Sequence, residues 1–319
     1  MTKPRREAKA PAELAAGRVV ARHGYHQVDV EDPAGRRVPC RLHGRKLAVV
    51  CGDGVRFGYD AADPAQGIVY EVEPRRATLA RLTSSGQSEP VVANLTQLIA
   101  VVAPLPAPDW FVIDRYLAGA AWCGIHAVIA LNKAELEAPG AIAAELAAYA
   151  RVGYTIISTS VKTAPGIDAL AAELGGNVSV LVGQSGTGKS SLLNRLVPEA
   201  RAVTQEISAA SEQGRHTTTT AVLHRLSTGG DLIDSPGVRD YAPPLPAIRD
   251  VGSGFVEIAR AAAGCRFQDC LHDKEPACAV RADVETGAIQ ARRFESYRRL
   301  VELKREFAAR RPEQRDRLR

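Results

Sequence analysis

Apolar and polar residues alternate along residues 17–75. Val38, Cys40 and Leu42 are separated by polar neighbours, as are Val55, Phe57 and Tyr59, and then Ile68, Tyr70 and Val72. A period of two is that of half-buried strands. Turn residues divide the runs at Asp32–Gly35, Gly52–Gly54 and Asp63–Gly67. About five short strands in this span predict a small barrel of the oligonucleotide-binding type. Basic residues recur along it, at Arg36, Arg37, Arg41, Arg45, Lys46, Arg56, Arg75, Arg76 and Arg81. They fit solvated strand edges or a surface that tracks phosphates. The small, polar stretch Ser84–Ser88 reads as a linker.

The pattern then changes. Leu98–Ala103 and Ala127–Leu131 are continuous apolar runs, which predict strands buried on both faces. Helical spacing follows each, first over Asp109–Cys123 and then through Ile142, Leu146 and Tyr149. Tyr154–Ile157 and Val178–Val182 add two more strands. Strand–helix alternation predicts an α/β parallel sheet, with ligands at the carboxyl ends of its strands.

The most informative stretch is Gly183-Gln184-Ser185-Gly186-Thr187-Gly188-Lys189-Ser190. It fills the phosphate-loop pattern G-x-x-x-x-G-K-S/T, between a strand and a helix that opens with Ser191. Glycines let backbone N–H groups wrap an anion at a helix N-terminus. Lys189 is expected to reach the β- and γ-phosphates, and Ser190 to hold Mg2+.

Asn132-Lys133-Ala134-Glu135, at the end of a buried strand, is similar to the guanine-reading motif N-K-x-D. An amide and a carboxylate there suit the acceptor and donor edges of the base, and Lys133 can lay its stem along the base plane. Glu135 replaces the usual Asp, with one more methylene. Ser158-Thr159-Ser160 stands where a short backbone loop would also touch the base. Further along, Asp234-Ser235-Pro236-Gly237 reads as D-x-x-G, with Asp234 toward Mg2+ and Gly237 toward the γ-phosphate. Gly214–Thr220 offers metal-binding hydroxyls, Thr218 among them, in a loop of the kind that orders around γ-phosphate. The position that often carries a water-orienting Gln is Val238, so His216 is the candidate for that role. Conventional GTPases carry these motifs in another order, so the chain reads as a circular permutation. Permutation is tolerated because the termini of a compact domain lie close together.

Cys265-x4-Cys270-x-His272-x5-Cys278 supplies three thiolates and one imidazole, a full tetrahedral set for a structural Zn2+. Helical spacing flanks it, over Phe255–Ala263 and Val280–Arg310. The arginine-rich tail Arg292–Arg319 is either a solvated helix face or an RNA-backbone contact. Six cysteines, three of them scattered, do not make a disulfide framework, which points to a reducing cytoplasm. No apolar run approaches membrane-span length, so no membrane partner is expected. A net charge of +5 is compatible with a nucleic-acid partner.

The permuted order, GQSGTGKSS, GRHTTT, DSPGVRD and the cysteine–histidine cluster together resemble the bacterial ribosome small-subunit-dependent GTPase A family. Residues 1–16, basic and without an apolar run, read as a flexible arm or a basic anchor for an RNA backbone. The resemblance implies an oligonucleotide-binding (OB-fold) barrel at 17–86, a circularly permuted P-loop GTPase domain at 91–245 and a helical zinc-binding domain at 246–319. It implies GTP hydrolysis in late maturation of the small ribosomal subunit, rRNA contact, stimulation by that subunit, a monomeric state and His216 in place of the missing Gln. The alternative is an RNA-binding module whose nucleotide site is a degenerate, barely hydrolytic clamp. Intact Lys189, Ser190 and Asp234 argue against degeneracy.

Overall fold

The computed structural model describes residues 13–24, 26–44, 47–60, 63–82, 88–198, 221–235, 238 and 243–310. The Thr-rich loop with His216 and Thr218, Gly237, and most of the N-terminal arm lie outside the described residues.

One sheet runs through two domains. Its α/β part is ordered β10 (Thr155–Ser158), β9 (His126–Leu131), β8 (Gln97–Val102), β11 (Val178–Val182), β13 (Asp231–Asp234), β12 (Ala221–Arg225). All neighbours are parallel except the β12–β13 pair. Strand β8 is buried at every position, and its side chains alternate between two cores. Leu98, Ala100 and Val102 pack with helices α1 (Trp110–Trp122) and α2 (Gly140–Val152). Ile99 and Val101 pack with α3 (Ile167–Leu174) and α4 (Lys189–Leu196). Parallel strands put the ends of β8, β9, β10, β11 and β13 along one edge, where the sequence motifs fall.

The barrel is built from β1 (Ala15–His23), β2 (Gln27–Glu31), β3 (Arg37–Leu42), β4 (Gly54–Tyr59) and β5 (Gly67–Val72). Pairing runs β1–β2–β3–β5–β4 and closes from β4 back to β1. Strand β1 also pairs with β12 at Ala21 and Arg22, so the barrel continues the α/β sheet. Val19 enters the barrel core and Val20 the α/β core, on opposite faces of one strand. Arg18 reaches Asp231 at 2.5 Å across the junction.

Three expectations change here. In β5, Val69 is fully buried while Ile68 and Tyr70 are half-exposed, the inverse of the expected phase. Gly67 shares the inward face because Phe57 and Cys40 fill the space a Cβ would need. Next, Ser84–Ser88 is no linker between domains. It joins β6 (Thr78–Leu82) to β7 (Ser88–Ala93), which pair antiparallel; Leu79 and Val92 are buried in the α/β core. Small polar residues suit a hairpin turn and a linker equally, so composition could not separate the two. Finally, five of the barrel's basic residues already hold carboxylates: Arg36 with Asp32, Arg41 with Asp60, Arg56 with Glu73, Arg75 with Asp53 and Arg81 with Glu89.

The C-terminal domain has a 3-10 helix (Ile248–Gly254) and helices α5 (Val256–Ala262), α6 (Ala279–Glu285) and α7 (Ala291–Arg310). The helical spacing over Val280–Arg310 resolves into two helices, because Gly287 takes φ 79° and turns the chain so that Ile289 enters the core. All six cysteines are free. Burial pushes the thiols of Cys40 and Cys51 up to about 12, consistent with packing rather than reactivity. Among the described residues, no helix is long and apolar enough to cross a membrane.

Candidate functional site

The loop between β11 and α4 has Gly188 at its turn into the helix, with φ 93°. A Cβ there would strike the side-chain amide of Asn132, so the glycine serves both the backbone angle and the close approach. Asn132 belongs to the loop after β9, yet its Nδ2 donates to the Thr187 carbonyl at 2.9 Å. Its Oδ1 accepts from the Thr159 hydroxyl at 3.2 Å. One buried carboxamide therefore ties the phosphate loop to the serine loop after β10. The motifs that are permuted in sequence adjoin in space.

Lys189 lies in the first turn of α4, with its ammonium donating to the carbonyls of Gly183 and Gln184, both at 2.7 Å. Lys189, Ser190, Asp234 and Ser235 line one cleft at the ends of β11 and β13. Ser190 and Ser191 are exposed on the first turn, whereas Thr187 is buried. Val238 is 1% exposed and packed in the α/β core, which excludes it from orienting a water molecule.

In the loops after β9 and β10, Ser160 is fully buried and its hydroxyl donates to Glu135 Oε2 at 2.6 Å. That bond, followed by Glu135's own backbone N–H and by Lys162 and Lys133, holds the Glu135 carboxyl below its ordinary value. The Lys162 ammonium lies 3.8 Å from the other carboxylate oxygen. Thr159 and Ser160 thus act through their hydroxyls as internal braces, while Ser158 is exposed at the end of β10. Lys133, at φ 59°, donates to the Leu105 carbonyl at 2.7 Å.

Two contributors escaped the sequence reading. The loop after β8 supplies the Leu105 carbonyl and sets Pro106 against Gly186. Its signal was available: a proline-rich run, Pro104–Pro108, directly after a buried parallel strand. The other is the side chain of Gln184, whose Oε1 accepts from the Asp109 backbone N–H at 2.9 Å. No sequence signal marks that contact.

The metal-ligating candidates of the C-terminal domain also converge. The ligand atoms of Cys265, Cys270, His272 and Cys278 all lie within 4.8 Å of one another. Cys265 and Cys278 sulfurs are 3.9 Å apart, and His272 Nδ1 lies 3.6 and 3.4 Å from them. A tetrahedral ion with Zn–S near 2.3 Å and Zn–N near 2.0–2.1 Å needs edges of about 3.8 and 3.5 Å. The donor set therefore fits such an ion. Burial holds the His272 imidazole below its ordinary pKa, in the neutral form that ligates. The Glu275 carboxylate caps the N–H groups of Leu271, Asp273 and Lys274 and shapes the loop. The arginine-rich tail departs from expectation at its start: Arg292 and Arg293 turn inward, to Asp114, Glu145 and Glu257.

Comparison with known proteins agrees with this geometry. The family model described as RsgA GTPase matches residues 72–242. The small ribosomal subunit biogenesis GTPase RsgA of Pseudomonas syringae pv. tomato is 42% identical over 293 residues, 89% of this chain and 84% of that protein. The protein of the same name from Chromohalobacter salexigens is 43% identical over 291 residues, 90% and 85% of the two chains. Among solved structures, YjeQ from Thermotoga maritima matches with a TM-score of 0.71 and 31% identity, over 91% of this chain and 98% of that one. YloQ, a circularly permuted GTPase, matches with a TM-score of 0.70 and 25% identity over 98% and 99%. A closed barrel, a permuted phosphate-loop sheet whose scattered motifs adjoin, and relatives spanning most of its length place this chain in the RsgA GTPase family.

Proposed function

We propose that this protein hydrolyses GTP to GDP and phosphate as a maturation factor of the small ribosomal subunit. The observation that supports this most is the Asn132 bridge, which sets the base-reading loop beside the phosphate loop. In this reading Asn132, Lys133 and Glu135 take the guanine base, and Gly183–Ser191 wrap the phosphates. Lys189 exchanges the Gly183 and Gln184 carbonyls for phosphate oxygens. Its charge and the loop N–H groups then stabilise the transferring phosphoryl group. Ser190 and Asp234 share the Lys189 cleft and are the residues to hold Mg2+, with Thr218; the ion supplies positive charge at the phosphates when bound. Gly237 is assigned to the γ-phosphate. His216 orients the attacking water, since Val238 is buried in the core.

Cys265, Cys270, His272 and Cys278 are assigned to one structural Zn2+, because four protein ligands leave no open position for chemistry. Contact with rRNA, stimulation by the subunit, a monomeric state and a cytoplasmic location complete the proposal. GTP turnover measured with and without small subunits tests it. Stimulated turnover should fall sharply in His216→Ala with nucleotide affinity kept. Turnover that stays flat on adding subunits favours the clamp alternative. Loss of binding in His216→Ala would instead make that residue part of the binding site.

A further inference from the structure

The segment after Asp234 is the obvious connection from the nucleotide site to the C-terminal domain, since it leads there along the chain. Helix α1 offers another. At its N-terminus, the Gln184 side chain of the phosphate loop accepts from the Asp109 backbone N–H at 2.9 Å. Asp109 caps the helix, its carboxylate accepting from the N–H groups of Phe111 and Val112. The next turns of α1 face the C-terminal domain. The Arg299 guanidinium lies over the Phe111 ring at 3.8 Å. Asp114 is 1% exposed and accepts from Arg293 at 2.7 Å, Arg292 at 2.6 Å and the Tyr149 hydroxyl at 2.6 Å. Arg293, itself 1% exposed, also binds both carboxylate oxygens of Glu257 on α5. Burial alone would lower the Arg293 pKa, but the Glu257 and Asp114 carboxylates outweigh it and raise the value.

The last turns of α1 pack tightly on the 3-10 helix. A Cβ at Gly254 would lie 2.6 Å from Trp122 Nε1 and 2.7 Å from Ala118 Cβ. Ala118 is counted in the C-terminal core, whereas Ile113, Leu117 and Ala120 of the same helix belong to the α/β core. One helix therefore sits in two cores, with the backbone N–H of its N-cap residue tied to the phosphate loop. A well-packed core does not absorb small displacements gradually, so a shift of the helix must be felt on both sides.

We propose that Gln184 is a positioning residue. Through Asp109, α1 and the Asp114–Arg293–Glu257 cluster, it transmits the loading of the phosphate loop to the metal-binding domain, by a route separate from the segment after Asp234. The inference rests on the loop being the GTP site. Gln184 is suited to the task because its side chain is hydrogen-bonded to the N-cap residue of α1, which leaves its backbone for the ligand.

The test is hydrogen exchange of the full chain, with and without saturating non-hydrolysable GTP analogue and Mg2+. Binding is checked separately by calorimetry. In the wild type, nucleotide should slow exchange in α5 and the first turns of α7 by about fivefold, the low end of ordinary site-to-site coupling. At a nucleotide concentration that calorimetry shows to saturate the variant, Gln184→Ala should remove most of that slowing. Gln184→Glu, which keeps an acceptor, should restore it. Asp114→Asn should reproduce the loss from the other end of the helix. Full protection in Gln184→Ala would overturn the inference and assign the signal to the segment after Asp234. Wild-type protein that binds the analogue with no change in α5 and α7 would also overturn it. Failure of wild-type binding would instead remove the GTP-site reading beneath it.

Discussion

The Asn132 junction and the cysteine cluster are both convergent sites, and they are held by opposite means. Asn132 reaches a phosphate-loop carbonyl 55 residues away, and Thr159 closes the other side of its amide. Every partner there is a hydrogen-bond group of the protein, framed by strands already paired. The cysteine cluster is local, made by residues 265–278, and its donors face mainly one another. Where a sheet supplies the frame, long-range closure needs no ion. Where a short loop carries four potential metal donors, the proposed ion would add its binding free energy to folding.

Metal removal should separate the two sites most. Chelation, or Cys270→Ser, should unfold the C-terminal module, with about 10 kcal/mol of ligation energy at stake. Calorimetry should then lose that module's transition; an unchanged melting profile would reject a structural ion. Arg293→Ala comes next. It leaves Glu257 buried without its cation and Asp114 with Arg292 alone, at a cost of about 3–5 kcal/mol, read from denaturant midpoints. Asn132→Ala orphans a buried carbonyl and a buried hydroxyl. It should cost about 2–4 kcal/mol in stability and weaken GDP binding as well, whereas a purely base-reading residue would lower affinity alone.

Smaller still is a pH effect at Glu135. Its folded pKa is lowered, chiefly by the Ser160 hydroxyl. The ionised carboxylate is therefore present above the ordinary carboxylate range and lost as pH falls through the lowered value. Ser160→Ala should move that loss to higher pH, read as GDP affinity across an acid titration. An unshifted profile would mean that Ser160 braces the loop without tuning its carboxylate. The least effect belongs to Arg41→Ala, whose half-exposed pair with Asp60 contributes about 0.2–1 kcal/mol.

Regular elements and contiguous motifs were legible because their signals are local. Val178–Val182 is a strand over the residues expected, and Asp109 and Cys123 bound α1 as its spacing implied. The ligand spacing of the cysteine cluster carried its geometry for the same reason. The inverted phase of β5 was not legible, because Phe57 on a neighbouring strand decides which side of Gly67 has room. Nor was the antiparallel pairing of β6 with β7 on either side of Ser84–Ser88, a stretch whose composition is shared by linkers. The inward turn of Arg292 and Arg293 depends on carboxylates more than 30 residues away, so an arginine-rich tail read as surface.

By itself, then, the sequence determined the strand–helix alternation, the phosphate loop, the permuted motif order and the metal-ligand set, all written within short windows of chain. Only the tertiary structure decided what those pieces touch. The buried amide of Asn132 at the phosphate loop, Gln184 turned to α1, and Arg293 closed on Asp114 and Glu257 are pairings between distant segments. Burial made the Asn132 and Arg293 pairings necessary, because a polar group cut off from water must find its partner wherever the fold delivers one, whereas the Gln184 contact lies in reach of solvent.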